Sequence, residues 1–152
     1  MAMRAVVVAL GLIGALSGAV RAAPPVAASS PPSIVFITSP KRSGLETSTA
    51  DLRRIFLGEV SRWRNGHRMV LFVRPSNTPE GRAFLDRVVQ MPDIDYSQWW
   101  IGAVFRGEAA AAPRVMETPE KMIRAVAANP DAIGFLSPGD VTRDVSVITV
   151  RE

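Results

Sequence analysis

The 152-residue chain has no cysteine and a single histidine. The first absence removes disulfides, thiolate metal sites and a cysteine nucleophile, so the chain folds on its apolar core alone. His67 sits in a Gly-His turn among arginines. A catalytic base needs a group that orients it, and the sequence offers none, so His67 reads as a surface turn residue. No block of five or more Lys or Arg occurs, and the net charge is only +4, which gives no reason to expect a nucleic-acid partner. No Gly-rich phosphate loop of the Walker or Rossmann kind and no metal-ligand spacing is present. The carboxylates are scattered one per segment, and a helix-capping role accounts for Asp95 beside Asp93. Without a base–nucleophile pair, the hydrolase and transferase classes fall away. The expectation is a protein with no catalytic residues, no metal and no cofactor.

Long apolar runs are also scarce. The longest, Ala5–Val20, follows the single charge of Arg4 and is shorter than the ~20 residues a spanning helix needs. Val20 and Ala22 occupy the small-residue positions of an export cleavage site, so residues 1–22 read as a cleavable signal peptide and the protein as periplasmic or secreted. Leu16-Ser17-Gly18-Ala19 has alanine where a lipid-accepting cysteine would stand. Removing Arg4 and Arg21 from 18 basic residues leaves 16 against 14 acidic ones, a mature charge of +2. Residues 23–32, "APPVAASSPP", form a Pro/Ser/Ala tether with nothing to bury. Residues 33–152 suffice for one domain with a single core.

Within that domain, short β-branched runs alternate with amphipathic segments. "SIVFIT" (33–38), "MVLFV" (69–73), "AIGFL" (132–136) and "VSVITV" (145–150) read as strands. Ser48 or Thr49 can cap a helix with Leu52, Ile55, Phe56 and Val60 inward, which Gly58 interrupts. Thr78-Pro79-Glu80 and Thr118-Pro119-Glu120 open two further helices, each with a cap, a first-turn proline and a first-turn acid. A fourth helix carries Tyr96, Trp99, Trp100, Ala103 and Val104. Helical spacing explains most of the aromatics Trp63, Tyr96, Trp99, Trp100 and Phe105 as core; adjacent Trp99 and Trp100 cannot both point inward, so one belongs in a groove or on a rim. The alternation implies an α/β layer fold with a largely parallel sheet.

The best binding candidate is "RPSNTPEG", Arg74 to Gly81, which leaves a strand and enters a helix. At such junctions backbone N–H groups face an anion. Arg74 adds a fixed charge, and Ser76, Asn77 and Thr78 add neutral hydrogen bonds. Two features oppose this: Thr78 shares its cap chemistry with Thr118, and Glu80 competes electrostatically with an incoming anion.

"LRRIFLGEVSRWRNG" (52–66) resembles a signature of phosphate-type periplasmic substrate-binding proteins of ABC transporters: a leucine, then Ile-Phe-x-Gly-x-x-x-x-Trp and a polar turn. Arg74 with its Ser/Asn/Thr loop and Phe84 is similar to that family's Arg-x-x-Ser-Gly-Thr…Phe ligand loop. Trp99 with "FRGEAAAAPR" (105–114), and "NPDAIGFLSPGDV" (129–141), resemble later family segments. The likeness spans about Ser33 to Val150. It implies the second lobe of a type 2 periplasmic-binding fold: a single three-layer lobe with a mostly parallel sheet of about four to five strands flanked by helices. It also implies a phosphate-like small anion at Arg74, Ser76 and Thr78. The sequence departs from the family in lacking the glycine of Ser-Gly-Thr, where Asn77-Thr78-Pro79 stands instead. It also leads from the tether almost directly into the strand that enters lobe two, so one lobe alone is expected.

The reading is an exported, non-enzymatic binding module that holds phosphate or another small anion weakly, because half a cleft leaves the anion in competition with water. The alternative is a structural or interaction protein of an envelope or sensory complex that uses the open half-cleft as a docking face. Strand edges expected near Val35 and Val147 would recruit an envelope partner or a second copy supplying the missing lobe.

Overall fold

The β-branched runs form strands whose successive side chains point to opposite faces, and both faces are apolar. The computed structural model describes residues 32–152, so the expected signal peptide and nearly all of the tether lie outside the described residues. Strand β1 (Val35–Thr38) sends Phe36 to one face and Ile37 to the other. Its relatives in the main sheet are β3 (Val70–Val73), β4 (Arg114–Val115), β5 (Ala132–Leu136) and β6 (Ser146–Val147), in the order β4-β3-β5-β1-β6. β3 pairs in parallel with β4 and β5, whereas β1 runs antiparallel to both β5 and β6. Four strands therefore share one direction and β1 alone is reversed. The expected α/β lobe is present, as a mixed sheet of mostly parallel strands.

Helices cover both faces. On one side lie α1 (Thr49–Phe56), α2 (Pro79–Phe84) with a π-helical continuation at Leu85–Val89, and α3 (Asp93–Phe105). Phe36, Phe56, Phe84 and Phe135 meet there, with the Phe84 and Phe135 rings stacked at 4.6 Å. On the other side α4 (Pro119–Ala128) packs Met122 and Val126 against Ile37, Phe72, Ala132 and Leu136. A Cβ at Gly134 would lie 2.6 Å from the Met122 sulfur, so the glycine lets α4 approach the sheet.

Ser48 is the α1 cap, accepting from the Asp51 N–H at 3.0 Å. Gly58 ends that helix with φ +80, in the left-handed region glycine favours. A side chain at Gly58 would also meet the Trp100 ring, 2.9 Å away. Trp63 is half-buried, and its indole N–H donates to the Asp131 carbonyl beneath the stacked Arg42 guanidinium.

Three expectations need correction. "VSVITV" is not one strand: Val145 and Ile148 are both buried, three apart, which breaks the period of two. The chain turns there, so that β7 (Thr149–Arg151) leaves the main sheet and pairs in parallel with β2 (Glu46–Ser48). β1 lies inside the sheet, yet β6 pairs only with its Ile37 and Thr38, so beside Val35 the side of β1 away from β5 has no strand partner in the main sheet, and Val147 lies in the outermost strand, β6. Asp95 lies in the first turn of α3, and the cap position is Pro92. Phe105 is not core but 91% exposed, at the last position of α3.

Candidate functional site

Arg74 directly follows β3, where the parallel strands β3 and β5 end and β1 begins beside Leu136. The Met116 N–H donates to the Val73 carbonyl at 2.8 Å, which fixes the crossing from β4 towards α4. Arg74 then donates from Nη1 to the Met116 carbonyl at 2.6 Å. Its side chain is buried, and Nε is the one buried side-chain nitrogen or oxygen without a partner among the described residues. An orphaned guanidinium N–H at a strand's end is costly, and Arg74 as a residue also lines the groove described below.

The loop after Arg74 is a tight turn. The Pro75 carbonyl accepts the Thr78 N–H at 3.0 Å and the Thr78 hydroxyl at 2.7 Å. Thr78 Oγ1 in turn accepts the Gly81 N–H at 3.1 Å and so caps α2. Gly81 is required sterically: a Cβ there would lie 2.0 Å from the Pro75 oxygen. Ser76 donates to Asp93 Oδ2 at 2.8 Å, and Asn77 is exposed. The four expected ligand residues thus lie on one loop but do different work. Arg74 lines the groove from inside, Ser76 is tied to α3, Thr78 serves the helix and Asn77 faces solvent.

Glu80 changes the electrostatics. Its carboxylate is buried and Oε1 accepts the Ser137 hydroxyl at 2.6 Å, from just past the end of β5. Burial pushes its pKa up, but the Ser137 hydroxyl, the residue's own backbone N–H, the Arg74 charge and the Thr78 hydroxyl outweigh it and hold the carboxyl below its ordinary range. Two of the first N–H groups of α2, those of Glu80 and Gly81, are therefore already answered by the chain's own oxygens. A negative charge sits where a helix start would otherwise favour an outside anion. Glu80 was legible as a competitor from its first-turn position. Ser137, 57 residues later, was not.

Beside the loop opens a groove of about 820 Å³, between α3 and residues 112–115. Arg74, Ser76 and Asp93 supply its polar end, and Phe84, Leu85, Trp100, Ile101, Val104 and Phe105 its apolar walls. Trp100 is buried and Trp99 is 40% exposed, the division expected of adjacent tryptophans.

His67 does have a partner: Nδ1 lies 3.2 Å from Asp131 Oδ2. Asp131 also pairs with Arg42, and Arg42 with His67 holds its carboxyl below the ordinary range against the opposing effect of desolvation. The arrangement clasps three loops on an exposed surface. Among the described residues no group of three or more His, Cys, Asp or Glu is placed to hold a metal, and no helix is long and apolar enough to cross a membrane.

No family model matches the chain, and no curated protein is similar to it. Solved structures do match in fold. One from Clostridium perfringens, described as a phosphate ABC transporter substrate-binding protein with bound phosphate, aligns with a TM-score of 0.61 at 18% identity, over 78% of this chain and 45% of that one. An ABC-type phosphate transport receptor from Vibrio cholerae aligns with a TM-score of 0.59 at 15% identity, over 78% and 46%. PstS from Borrelia burgdorferi aligns with a TM-score of 0.61 at 16% identity, over 80% and 48%. The chain spans less than half the length of each, as a single lobe does. Identity this low shows a shared fold and nothing finer.

Proposed function

We propose that this lobe, with the fold of one half of a phosphate ABC transporter substrate-binding protein, is a non-enzymatic binding module of an exported protein, with residues 1–22 as its signal peptide and 23–32 as its tether. Its working surface is the half-cleft formed by Arg74, the 75–81 loop and the apolar groove. Phosphate-like anions bind there weakly, through Arg74 with Ser76, Asn77 and Thr78. The observation that carries this is Glu80: a buried carboxylate, held by Ser137 beside Arg74, already takes the charge and the helix N–H groups an anion would use. What remains open is mostly apolar, which favours use of the half-cleft as a docking face within an envelope assembly over uptake of an inorganic ion. Titration calorimetry with phosphate, sulfate and small carboxylates tests it. Dissociation constants in the millimolar range, about −4 kcal/mol, are expected, with the heat lost in Arg74→Ala. Micromolar phosphate binding would overturn the docking-face reading in favour of an anion receptor.

A further inference from the structure

Helix α3 is apolar on two sides, and the described residues cover only one. Tyr96, Trp100 and Ala103 are buried inward. Outward, Ile94 is 63%, Ile101 70%, Val104 40% and Phe105 91% exposed, and Val115 stands 56% exposed across the groove. A helix apolar all round belongs in an interior, and a contiguous patch of this size marks an interface. We propose that the outward face of α3 and its groove form a two-fold interface between two copies of this chain, each inserting Phe105 into the other's groove. The inference rests on the docking-face reading of the half-cleft and names its occupant.

Three observations select a second copy. First, knob and hole lie on one face: Phe105 projects from the lip of an 820 Å³ groove walled by Phe84, Leu85 and Trp100. A two-fold operation brings such a patch onto itself with both features matched. Second, charge is complementary. α3 begins with Asp93 and Asp95, while Arg106 follows its last residue and Arg114 lies in β4, the edge strand at the groove. Arg106 is already held by Glu108, whereas Arg114 has no ion pair among the described residues. Two antiparallel copies of α3 set the acidic start of one against Arg114 of the other, with their dipoles opposed. Third, the area is of the right order. Ile94, Ile101, Val104, Phe105 and Val115 alone expose on the order of 500–600 Å², most of the ~800 Å² each partner gives to a standard interface. The second copy also supplies the wall that the half-cleft lacks and encloses Arg74.

Sedimentation equilibrium of the full chain, purified from an exporting host, reads the result directly. A dimer with a dissociation constant on the order of 10 μM is expected for an interface of this size. Phe105→Glu should weaken it at least about 30-fold while leaving the thermal melt of the dilute monomer, read well below that constant, unchanged, since the side chain is 91% exposed there. The chain has no cysteine, so Ile101→Cys, near the centre of α3, places a lone thiol close to its own counterpart across the axis. Mild oxidation should link Ile101→Cys into dimers and leave the remote, exposed Arg143→Cys monomeric. A monomer at about 100 μM, ten times the expected constant, overturns the proposal. A dimer that ignores Phe105→Glu and does not link through position 101 also overturns it. So does an α3 face covered instead by residues 1–31 or by another molecule. The anion titration above is read on Arg74→Ala, so the docking-face reading and the dimer fail separately.

Discussion

The tripeptide Thr-Pro-Glu opens both α2 and α4, and the two copies meet different fates. Thr78 and Thr118 cap alike, each accepting the N–H three residues on, at 3.1 and 3.2 Å. Yet Glu80 is buried against Ser137, while Glu120 is exposed, its carboxyl lowered mainly by its own backbone N–H. After the tripeptide comes Gly81 in one and Lys121 in the other. Local sequence sets the cap. What the strand ends place nearby decides whether the acid becomes a surface charge or part of a buried cluster.

Substitution can break this contrast. The largest effect belongs to Gly81→Ala, whose new methyl would collide with the Pro75 oxygen. A loss on the order of 3 kcal/mol or more is expected in urea unfolding, against less than about 0.5 kcal/mol for Lys121→Ala on an exposed helix face. Next comes Glu80→Ala, which strands the Ser137 hydroxyl and a buried Arg74 and should cost about 2 kcal/mol. Glu120→Ala should fall within about 0.5 kcal/mol of wild type by the same measurement. Thr78→Ala and Thr118→Ala should each cost about 1 kcal/mol. A much larger loss at Thr78 would show that its bond to the Pro75 carbonyl, rather than the cap, dominates.

The smallest effect is in pH. Because the folded-state pKa of Glu80 is depressed, its contribution is fully present above the unfolded value of about 4.3 and is lost as pH falls through the lower folded value. Chemical denaturation between pH 6 and pH 3 should therefore show a shallower acid loss in Glu80→Gln than in wild type, and an identical slope would remove Glu80 from the account.

The strands and helices were legible because apolar spacing reports burial directly: Leu52, Ile55 and Phe56 in α1, and Met122 and Val126 in α4, are buried as their period requires. The remaining strands are short and carry no apolar period. β2 and β4 have three and two residues and exist through parallel pairing with distant partners, 46–48 with 149–151 and 114–115 with 72–73. Phe105 stands two residues after the inward Ala103 and so on the outward side of α3, where apolar character alone does not report burial. In the site, Arg74 and its loop were placed by the strand-to-helix pattern. What those residues touch was not, since Asp93, Met116 and Ser137 lie 17 to 57 residues further along the chain. The fold is written in periodicity; the chemistry of the half-cleft is written in contacts between strand ends.

One comparison probes the centre of the account, that Glu80 stands in place of an external anion. Phosphate titration of wild type beside Glu80→Gln should give millimolar binding in the first. In the second it should be about tenfold tighter, the effect of removing one like charge from a partly buried site, about 1.4 kcal/mol. Equal affinities, or micromolar binding by wild type with Glu80 intact, would contradict it.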